Sequence, residues 1–395
     1  MVLTTKQQEG LSIAVARYKA REAYTCIAGY AGTGKSTLIK FIIAALNLNP
    51  DEDVVYCTFT GKAANVLRHK GCPNAMTAHK LLYYAKRLAS GKFVYRPKPR
   101  LEYNVKLIIV DEISMLPKDL WELLLSHRVY VIAAGDPAQL PPIDPKTDNH
   151  VLDNPHVFLD EIMRQAQESE IIRLTMDIRA GKYLKEYKGK EIQVNAQKDF
   201  IEGMYHWANQ ILVATNKKRF EVNNFMRSAL GRTGPEPEVG DKLLCRRNAW
   251  DIIDTEGNMA LVNGTIGYIT KVNKETLFYP NNIPSVPIYR VDLKTEEGEK
   301  FQDLPIDANS ILNYKVSLTP QQEFTLNRLS KNNPEVELPL EFNYGYAITT
   351  HASQGSEWDK VLVLEETFPF EKDIHQRWLY TACTRPREKL VVIKK

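Results

Sequence analysis

The run Gly29-Tyr30-Ala31-Gly32-Thr33-Gly34-Lys35-Ser36 has the spacing of a phosphate-binding loop, G-x-x-x-x-G-K-[ST]. Glycines let the backbone wrap closely around a phosphate without a Cβ in the way. Successive N–H groups and a following helix N-terminus present positive dipole ends to the anion. Lys35 is spaced to reach the β- and γ-phosphates, and Ser36 offers a hydroxyl to Mg²⁺. A second chemical pair, Asp111-Glu112, directly follows the apolar run Leu107-Ile108-Ile109-Val110. The carboxyl ends of parallel strands are where such sheets bind nucleotides. Asp111 is therefore assigned to Mg²⁺, directly or through water. Glu112 is assigned to orienting and deprotonating an attacking water. A third polar tip, Gly135-Asp136-Pro137-Ala138-Gln139, closes another apolar run, and Gln139 is placed to contact the γ-phosphate. Taken alone, Gly-Asp-Pro is only a turn.

These groups need a scaffold that ends several strands at one edge. Residues 24–28, 54–59, 107–110 and 129–134 read as short buried strands, with helical patterns at 37–46 and 62–68 between them. Alternating β and α signals predict a parallel sheet covered by helices. A second set begins near Gln210, with strands at 211–214, 361–364 and 390–393 and a helix over 217–230. The fold class expected is α/β, with two parallel-sheet domains. From about Arg232 to Leu340 the texture changes: Gly234-Pro235, Asn263-Gly264, Pro280-Asn281-Asn282 and Asn332-Asn333-Pro334 are turn signals. Alternating runs at 265–272 and 288–293 lie between them, with a helix over 321–329. That pattern predicts a small all-β insertion.

Composition sets outer bounds. The chain has 395 residues, 44% hydrophobic and 25% charged, which suits a multidomain globular protein. It holds no apolar run long enough for a membrane span. The polar segment Met1–Gln8 predicts no secretory signal. Five scattered cysteines, none at C-x-x-C spacing, predict free thiols rather than disulfides or a zinc site, and hence a cytoplasmic protein. A net charge of +4 does not announce a nucleic-acid binder, so a basic groove would have to be local. One candidate stretch carries Lys80, Lys86, Arg87, Lys92, Arg96, Lys98, Arg100 and Lys106 against the single acid Glu102. Tyr83, Tyr84, Phe93, Tyr95 and Tyr103 are interleaved with them. Basic groups suit phosphates and aromatic rings suit base stacking, although a solvated loop with buried tyrosines gives the same pattern.

In order along the chain these motifs resemble those of the superfamily 1 DNA helicases of the RecD and Dda type, the 1B branch. Leu3-Thr4-Thr5-Lys6-Gln7 resembles the Q motif, and Gly29–Ser36 matches motif I. Thr58-Phe59-Thr60-Gly61-Lys62-Ala63-Ala64 resembles motif Ia, followed by Thr77-Ala78-His79. Asp111-Glu112-Ile113-Ser114-Met115 matches motif II, and Gly135 to Pro142 matches motif III. Met163-Arg164-Gln165 resembles motif IV. His351-Ala352-Ser353-Gln354-Gly355-Ser356-Glu357 matches motif V, and Tyr380-Thr381-Ala382-Cys383-Thr384-Arg385 matches motif VI.

The resemblance implies two RecA-like domains with ATP between them, Gln7 reading adenine, and nucleotide contacts at Gly29, Gly32, Thr33, Gly34, Lys35, Ser36, Thr37, Gly355 and Glu357. It implies that Arg164 and Arg385 point at the γ-phosphate; losing such a finger costs about 10³–10⁵ in rate. Thr60, Thr77, His79, Thr215, Asn216, Thr350 and His351 align with groups that touch single-stranded DNA. The implied domains are 1A at 1–165, with a small pin-like insertion 1B at 83–104. Domain 2A follows at 166–231 and 341–395, with an SH3-like β-rich domain 2B at 232–340 and no appended domain after the last strand. Within the pin, Ser90-Gly91 suits a hairpin turn, and Phe93 is either a wedge that splits the duplex or a side chain closing a small loop.

The implied activity is an ATP-dependent DNA helicase moving 5′ to 3′ on single strands, with ATP and Mg²⁺ as cofactors. The implied setting is replication, recombination or repair in the cytoplasm, or the host cytoplasm for a viral protein. Expected partners are single-stranded DNA, single-strand/duplex junctions, and single-strand-binding or replication proteins, with the helicase itself a monomer. Two readings stay open beside it: a nucleic-acid-stimulated ATPase that remodels complexes without unwinding, and an RNA-directed motor.

Overall fold

The computed structural model describes residues 3–87, 93–101, 104–142, 145–163, 168–257, 259–280, 283–313, 317–330, 333, 336–367 and 371–395, leaving aside the side chains of 85–87, 93–95, 145, 250 and 313. The chain divides into two compact units. One comprises the residues up to Leu82, Pro97–Asn216 and Thr349–Lys395; the other comprises Tyr83–Arg96 and Lys217–Ile348.

In the first unit the buried apolar runs become parallel strands. β1 (Tyr24–Gly29), β2 (Val54–Thr58) and β3 (Met76–Thr77) come first. A two-stranded ribbon of β4 (Tyr83–Arg87) and β5 (Phe93–Pro97) then intervenes in the sequence. β6 (Leu107–Val110), β7 (Tyr130–Gly135) and β8 (Val157–Leu159) complete a six-stranded sheet of order β3-β2-β6-β7-β1-β8. Its described pairings are all parallel. Helices cover both faces of such a sheet, which is why its strands read as continuous apolar runs rather than alternating ones. In the helix Lys35–Ala45, Leu38, Ile39, Ile42 and Ile43 fall at helical spacing and pack with Ile27, Ile109 and Ile132 of the sheet. The helix Thr5–Lys19 starts on a capping box between Thr4 and Gln7 and adds Ala14 to the same core.

The second sheet opens with β9 (Tyr187–Lys188), β10 (Ile192–Ala196) and β11 (Gln210–Val213). The chain then passes into the second unit through the helix Asn216–Ala229. There it forms β12 (Lys242–Cys245), β13 (Ala249–Ile253), β14 (Ala260–Leu261), β15 (Ile266–Leu277), β16 (Val286–Thr295), β17 (Lys300–Asp307) and β18 (Phe342–Tyr344). β19 (Ala347–Thr349), β20 (Trp358–Leu364) and β21 (Pro386–Lys394) complete the second sheet, in the order β19-β11-β20-β21-β10-β9. Its central pairings, β11 with β20, β20 with β21 and β21 with β10, are parallel. The β-rich insertion is an antiparallel sheet of order β17-β16-β15-β12-β18, with the helix Pro320–Leu329 beside it.

The predicted strands at 24–28, 54–59, 107–110, 129–134, 211–214, 361–364 and 390–393 all form, with ends shifted and the last running from Pro386. In the two six-stranded sheets β3, β8, β9, β10 and β19 were not legible. β3 and β9 are two residues each, too short to show a period. β10 alternates buried Ile192 and Val194 with Gln193 and Asn195 near the sheet edge. β15 runs well past the predicted 265–272, because Asn273–Thr276 is held by the ladder to β16 and carries no apolar alternation. No helix among the described residues is long and apolar enough to cross a membrane.

Candidate nucleotide and nucleic-acid sites

The carboxyl ends of β1, β6 and β7 open into a cavity of about 440 Å³ lined by Gly32, Gly34, Lys35, Ser36 and Thr37, by Asp111, Glu112 and Gln139, and by Glu357 and Arg385. The loop after β1 is shaped by its glycines. Gly34 sits at φ 78°, and a Cβ there would meet Gln7 Nε2 and Met163 Sδ at 2.5 Å. Its carbonyl starts the helix Lys35–Ala45, accepting from Leu38 N at 3.0 Å, so the helix N-terminus faces the cavity. Lys35 Nζ donates to the Gly29 carbonyl at 2.6 Å and the Tyr30 carbonyl at 3.1 Å, folding the side chain over its own loop.

Across the cavity, Asp111 Oδ1 accepts from Glu112 N at 3.0 Å. Glu112 has φ 55°, a left-handed conformation costing a residue with a side chain about 1–3 kcal/mol. Burial pushes both carboxyls above their ordinary range; Arg385 opposes this at Glu112, and Lys35 opposes it at Asp111. Arg385 Nη1 lies 3.9 Å from Glu112 Oε1. Oriented by its hydrogen-bond partners, the Gln139 amide donates to Glu112 Oε2 at 3.1 Å and accepts from Arg385 Nη2 at 3.2 Å. Arg385 is 4% exposed and also donates to Thr381 O and Thr384 Oγ1. A carboxylate placed to take a proton, an amide and a guanidinium thus form one connected edge opposite the phosphate loop.

Four of the expected nucleotide residues do not line this cavity. Gln7 is 1% exposed, and its amide is spent inside the chain: Oε1 accepts from Thr4 N, and Nε2 donates to the carbonyls of Thr33 and Gly34. In this conformation it braces the phosphate loop rather than facing an adenine. Thr33 is buried and donates to Tyr30 O. Gly29 sits against Thr33 and Leu159, and Gly355 packs on Ala63, where a Cβ would meet Ala63 Cβ at 2.9 Å. Arg164 lies outside the described residues.

The expected DNA contacts divide in the same way. Thr350 is fully buried and its hydroxyl donates to Val213 O, so its assignment as a strand contact is corrected. Thr77 is corrected likewise: it is 3% exposed and caps the helix Ala78–Leu82 by accepting from Lys80 N. Thr60 caps the helix Gly61–His69, accepting from Ala63 N, and keeps a half-exposed side chain. His79 and His351 are half-buried, and burial lowers the pKa of both, favouring neutral rings. Asn216 is exposed, while Thr215 is held by Glu366, whose carboxylate accepts from Ala214 N, Thr215 N and Thr215 Oγ1. Phe93 starts β5, but its side chain and the Ser90-Gly91 turn lie outside what is described. The basic stretch is also thinner than its sequence. Lys98 is buried and donates to Lys80 O, and Lys106, though exposed, pairs with Asp53 at 2.8 Å, while Lys80, Arg96 and Arg100 are exposed.

Sequence reasoning missed Lys70, which lines the cavity and pairs with Glu357 at 3.2 Å, and it missed Glu366. Neither stands in a pattern with a chemical spacing. It also passed over Gln354, Tyr380 and Thr381 as individual residues, although they lie inside motifs V and VI.

Comparison with known proteins bears on the whole chain. The AAA domain family matches residues 3–204, and the UvrD-like helicase C-terminal domain matches residues 344–393. The ATP-dependent DNA helicase Dda of Enterobacteria phage T4 is 25% identical over 65% of this chain and 63% of its own. The ATP-dependent RecD2 DNA helicase of Deinococcus radiodurans is 27% identical over 97% of this chain and 49% of its own. The chain therefore spans about half to just under two thirds of the length of these curated relatives. Among solved structures, the Pif1 helicase from Bacteroides in complex with ADP-AlF3 and ssDNA superposes with a TM-score of 0.55 at 18% identity, covering 99% of this chain and 92% of that one. The Pif1 helicase from Candida albicans gives 0.53 at 18%, covering 100% and 94%. These likenesses show the fold, two RecA-like domains. With the AAA domain family matching half of its length and residues of motifs I, II, III, V and VI lining one cavity, the chain belongs to the superfamily 1B helicases of the RecD and Dda type.

Proposed function

We propose that this chain is an ATP-dependent DNA helicase that translocates on single-stranded DNA from 5′ to 3′ and couples ATP hydrolysis to duplex unwinding. The observation that carries this reading is the Glu112–Gln139–Arg385 edge facing the phosphate loop. It joins a base at the end of the first sheet to an arginine just before the last strand of the second. Hydrolysis can then be sensed by both RecA-like domains. Relatives named as ATP-dependent DNA helicases support the activity, and Pif1 structures holding ssDNA and forked dsDNA support the substrate.

In this reading Lys35 and the loop N–H groups hold the β- and γ-phosphates, and Glu357 lies at the cavity wall. Ser36 and Asp111 share the cavity and supply the hydroxyl and carboxylate oxygens that suit Mg²⁺, which would neutralise phosphate charge there. Glu112 takes a proton from the attacking water, Gln139 orients it, and Arg385 compensates developing negative charge. Thr60, His79, Asn216 and His351 are the strand-facing candidates that keep exposed surface. We assign 1–165 to domain 1A, 166–231 and 341–395 to domain 2A, and 232–340 to an SH3-like domain 2B. The β4–β5 ribbon serves as a duplex-splitting pin with Phe93 as its wedge. The phage relative fits a host-cytoplasmic setting, and the chain is taken to act as a monomer.

Forked duplexes with only a 5′ or only a 3′ loading tail test activity and polarity together. Unwinding confined to the 5′-tailed fork is expected. Strong ATPase without unwinding of either fork would move the reading to a remodelling ATPase, and preferential stimulation by RNA would move it to an RNA-directed motor.

A further inference from the structure

Motif III is gripped from the second sheet at two points on either side of Gln139. The helix Lys372–Cys383 presents Tyr380 and Thr381 in its last turn. Tyr380 is 2% exposed, and its hydroxyl donates to Asp136 Oδ2 at 2.6 Å. The Tyr380 hydroxyl oxygen in turn accepts from the phosphate-loop amide Ala31 N at 3.1 Å. Four residues beyond Asp136, the Leu140 amide donates to Thr381 Oγ1 at 2.9 Å, and the Leu140 carbonyl accepts from Gln354 Nε2 at 3.2 Å. Asp136 Oδ1 accepts from Ala138 N at 2.9 Å, so neither oxygen of this 4% exposed carboxylate is idle. Gln139, which bridges Glu112 and Arg385, is thus suspended between two anchors, both reaching the helix that precedes Arg385.

We propose that Tyr380 is a positioning residue that registers occupancy of the phosphate loop and passes it to Gln139 and Arg385. The proposal deepens the helicase reading above and rests on it. Ala31 N–H belongs to the loop that cradles phosphate, and such N–H groups are what an entering phosphate recruits. In the present conformation the tyrosine hydroxyl takes that N–H. A phosphate oxygen competing for it weakens one end of the Ala31–Tyr380–Asp136 strut, and the other end holds the loop that aims Gln139. Burial pushes the phenol above its ordinary range, helped by Asp136, so the hydroxyl stays protonated and keeps donating. Nucleotide state is thereby read through a hydroxyl from the second sheet, in addition to the arginine.

The test compares wild type with Tyr380→Phe, which keeps the ring and removes both hydrogen bonds. Affinity for a fluorescent ADP, ATPase with and without single-stranded DNA, and ATP consumed per base pair unwound are measured. ADP affinity is expected to be retained or to rise modestly, because the hydroxyl no longer competes with phosphate for the Ala31 N–H. DNA-stimulated kcat is expected to fall by about 5- to 150-fold, the range for leaving one buried polar group unsatisfied, and ATP consumed per base pair to rise. Asp136→Asn, which replaces the acceptor oxygen by a donor, attacks the strut from its other end and is expected to show the same split. An equal fall in DNA-free and DNA-stimulated rates with unchanged ATP per base pair, or wild-type behaviour of both variants, overturns the role of Tyr380. Absence of DNA-stimulated ATPase in the wild type instead overturns the helicase reading itself.

Discussion

The two six-stranded sheets share a parallel core and are equipped differently. The first ends its strands in the phosphate loop, the Asp111–Glu112 pair and the motif III tip. The second has no phosphate loop; it offers the cavity Glu357, Thr384 and Arg385, with Tyr380 hydrogen-bonded to Ala31 and Asp136. In the proposed reading one sheet holds the nucleotide and the other reads it. Tyr380, Thr381, Gln354 and Arg385, which reach from the second sheet's side to the first, are polar and buried, so each of their hydrogen bonds is costly to leave unmade. That arrangement suits a site whose assembly must depend on what is bound, because a ligand shifts a conformation only through its differential affinity for the two states.

Substitutions on the two sides should fail in different ways. Lys35→Ala is expected to eliminate DNA-stimulated ATPase and to lose nucleotide affinity worth about 2–5 kcal/mol, as when one partner of a buried charge pair is truncated. Near-normal turnover in that variant would break the comparison at its first term. Arg385→Ala should leave nucleotide binding nearly intact while kcat falls by about 10³–10⁵. Binding lost together with turnover would show that the second sheet holds as well as reads.

The base sharpens the contrast through pH. Burial raises the Glu112 pKa, Arg385 acts against that, and a base must be ionised. The acid limb of kcat is therefore expected at higher pH than for an exposed glutamate. The stability sign follows from the same shift: a carboxyl raised in the folded state stabilises while protonated, and that contribution is lost as pH rises through its folded value. Glu112→Gln should consequently abolish turnover yet raise the melting temperature near neutral pH. The smallest effect lies in DNA binding. His351→Ala should weaken single-strand affinity without changing the salt slope, since its ring is neutral. Arg100→Ala should reduce the slope by about 0.7. A change of slope in the histidine variant would place charge where the structure puts none.

How much of this was legible depends on the kind of residue. The phosphate loop, Asp111, Glu112, Gln139 and Arg385 stand in motifs whose spacing carries a mechanism, and all reach one cavity. Thr77 and Thr350 carried the right residue types at plausible places, yet their hydroxyls serve a helix start and the Val213 carbonyl. Hydroxyl residues cap helices and bind phosphates by the same chemistry, and only burial separates the two uses. The same holds for Lys98, a basic residue in a basic stretch whose amine is turned inward to Lys80 O.

By itself the sequence placed the groups that phosphate chemistry would use, because a phosphate loop needs its glycines, lysine and hydroxyl at fixed intervals along one backbone. It also determined the alternation of strands and helices, since burial on both faces dictates composition. The tertiary structure alone decided which side chains are free to act. It spent Gln7 on the carbonyls of Thr33 and Gly34, closed Thr350 into the interior, and brought Tyr380 to Ala31 and Asp136. The physical reason is that a hydrogen bond between residues tens to hundreds of positions apart leaves no local period or spacing. It appears only when packing fixes the distance and excludes the water that would otherwise compete.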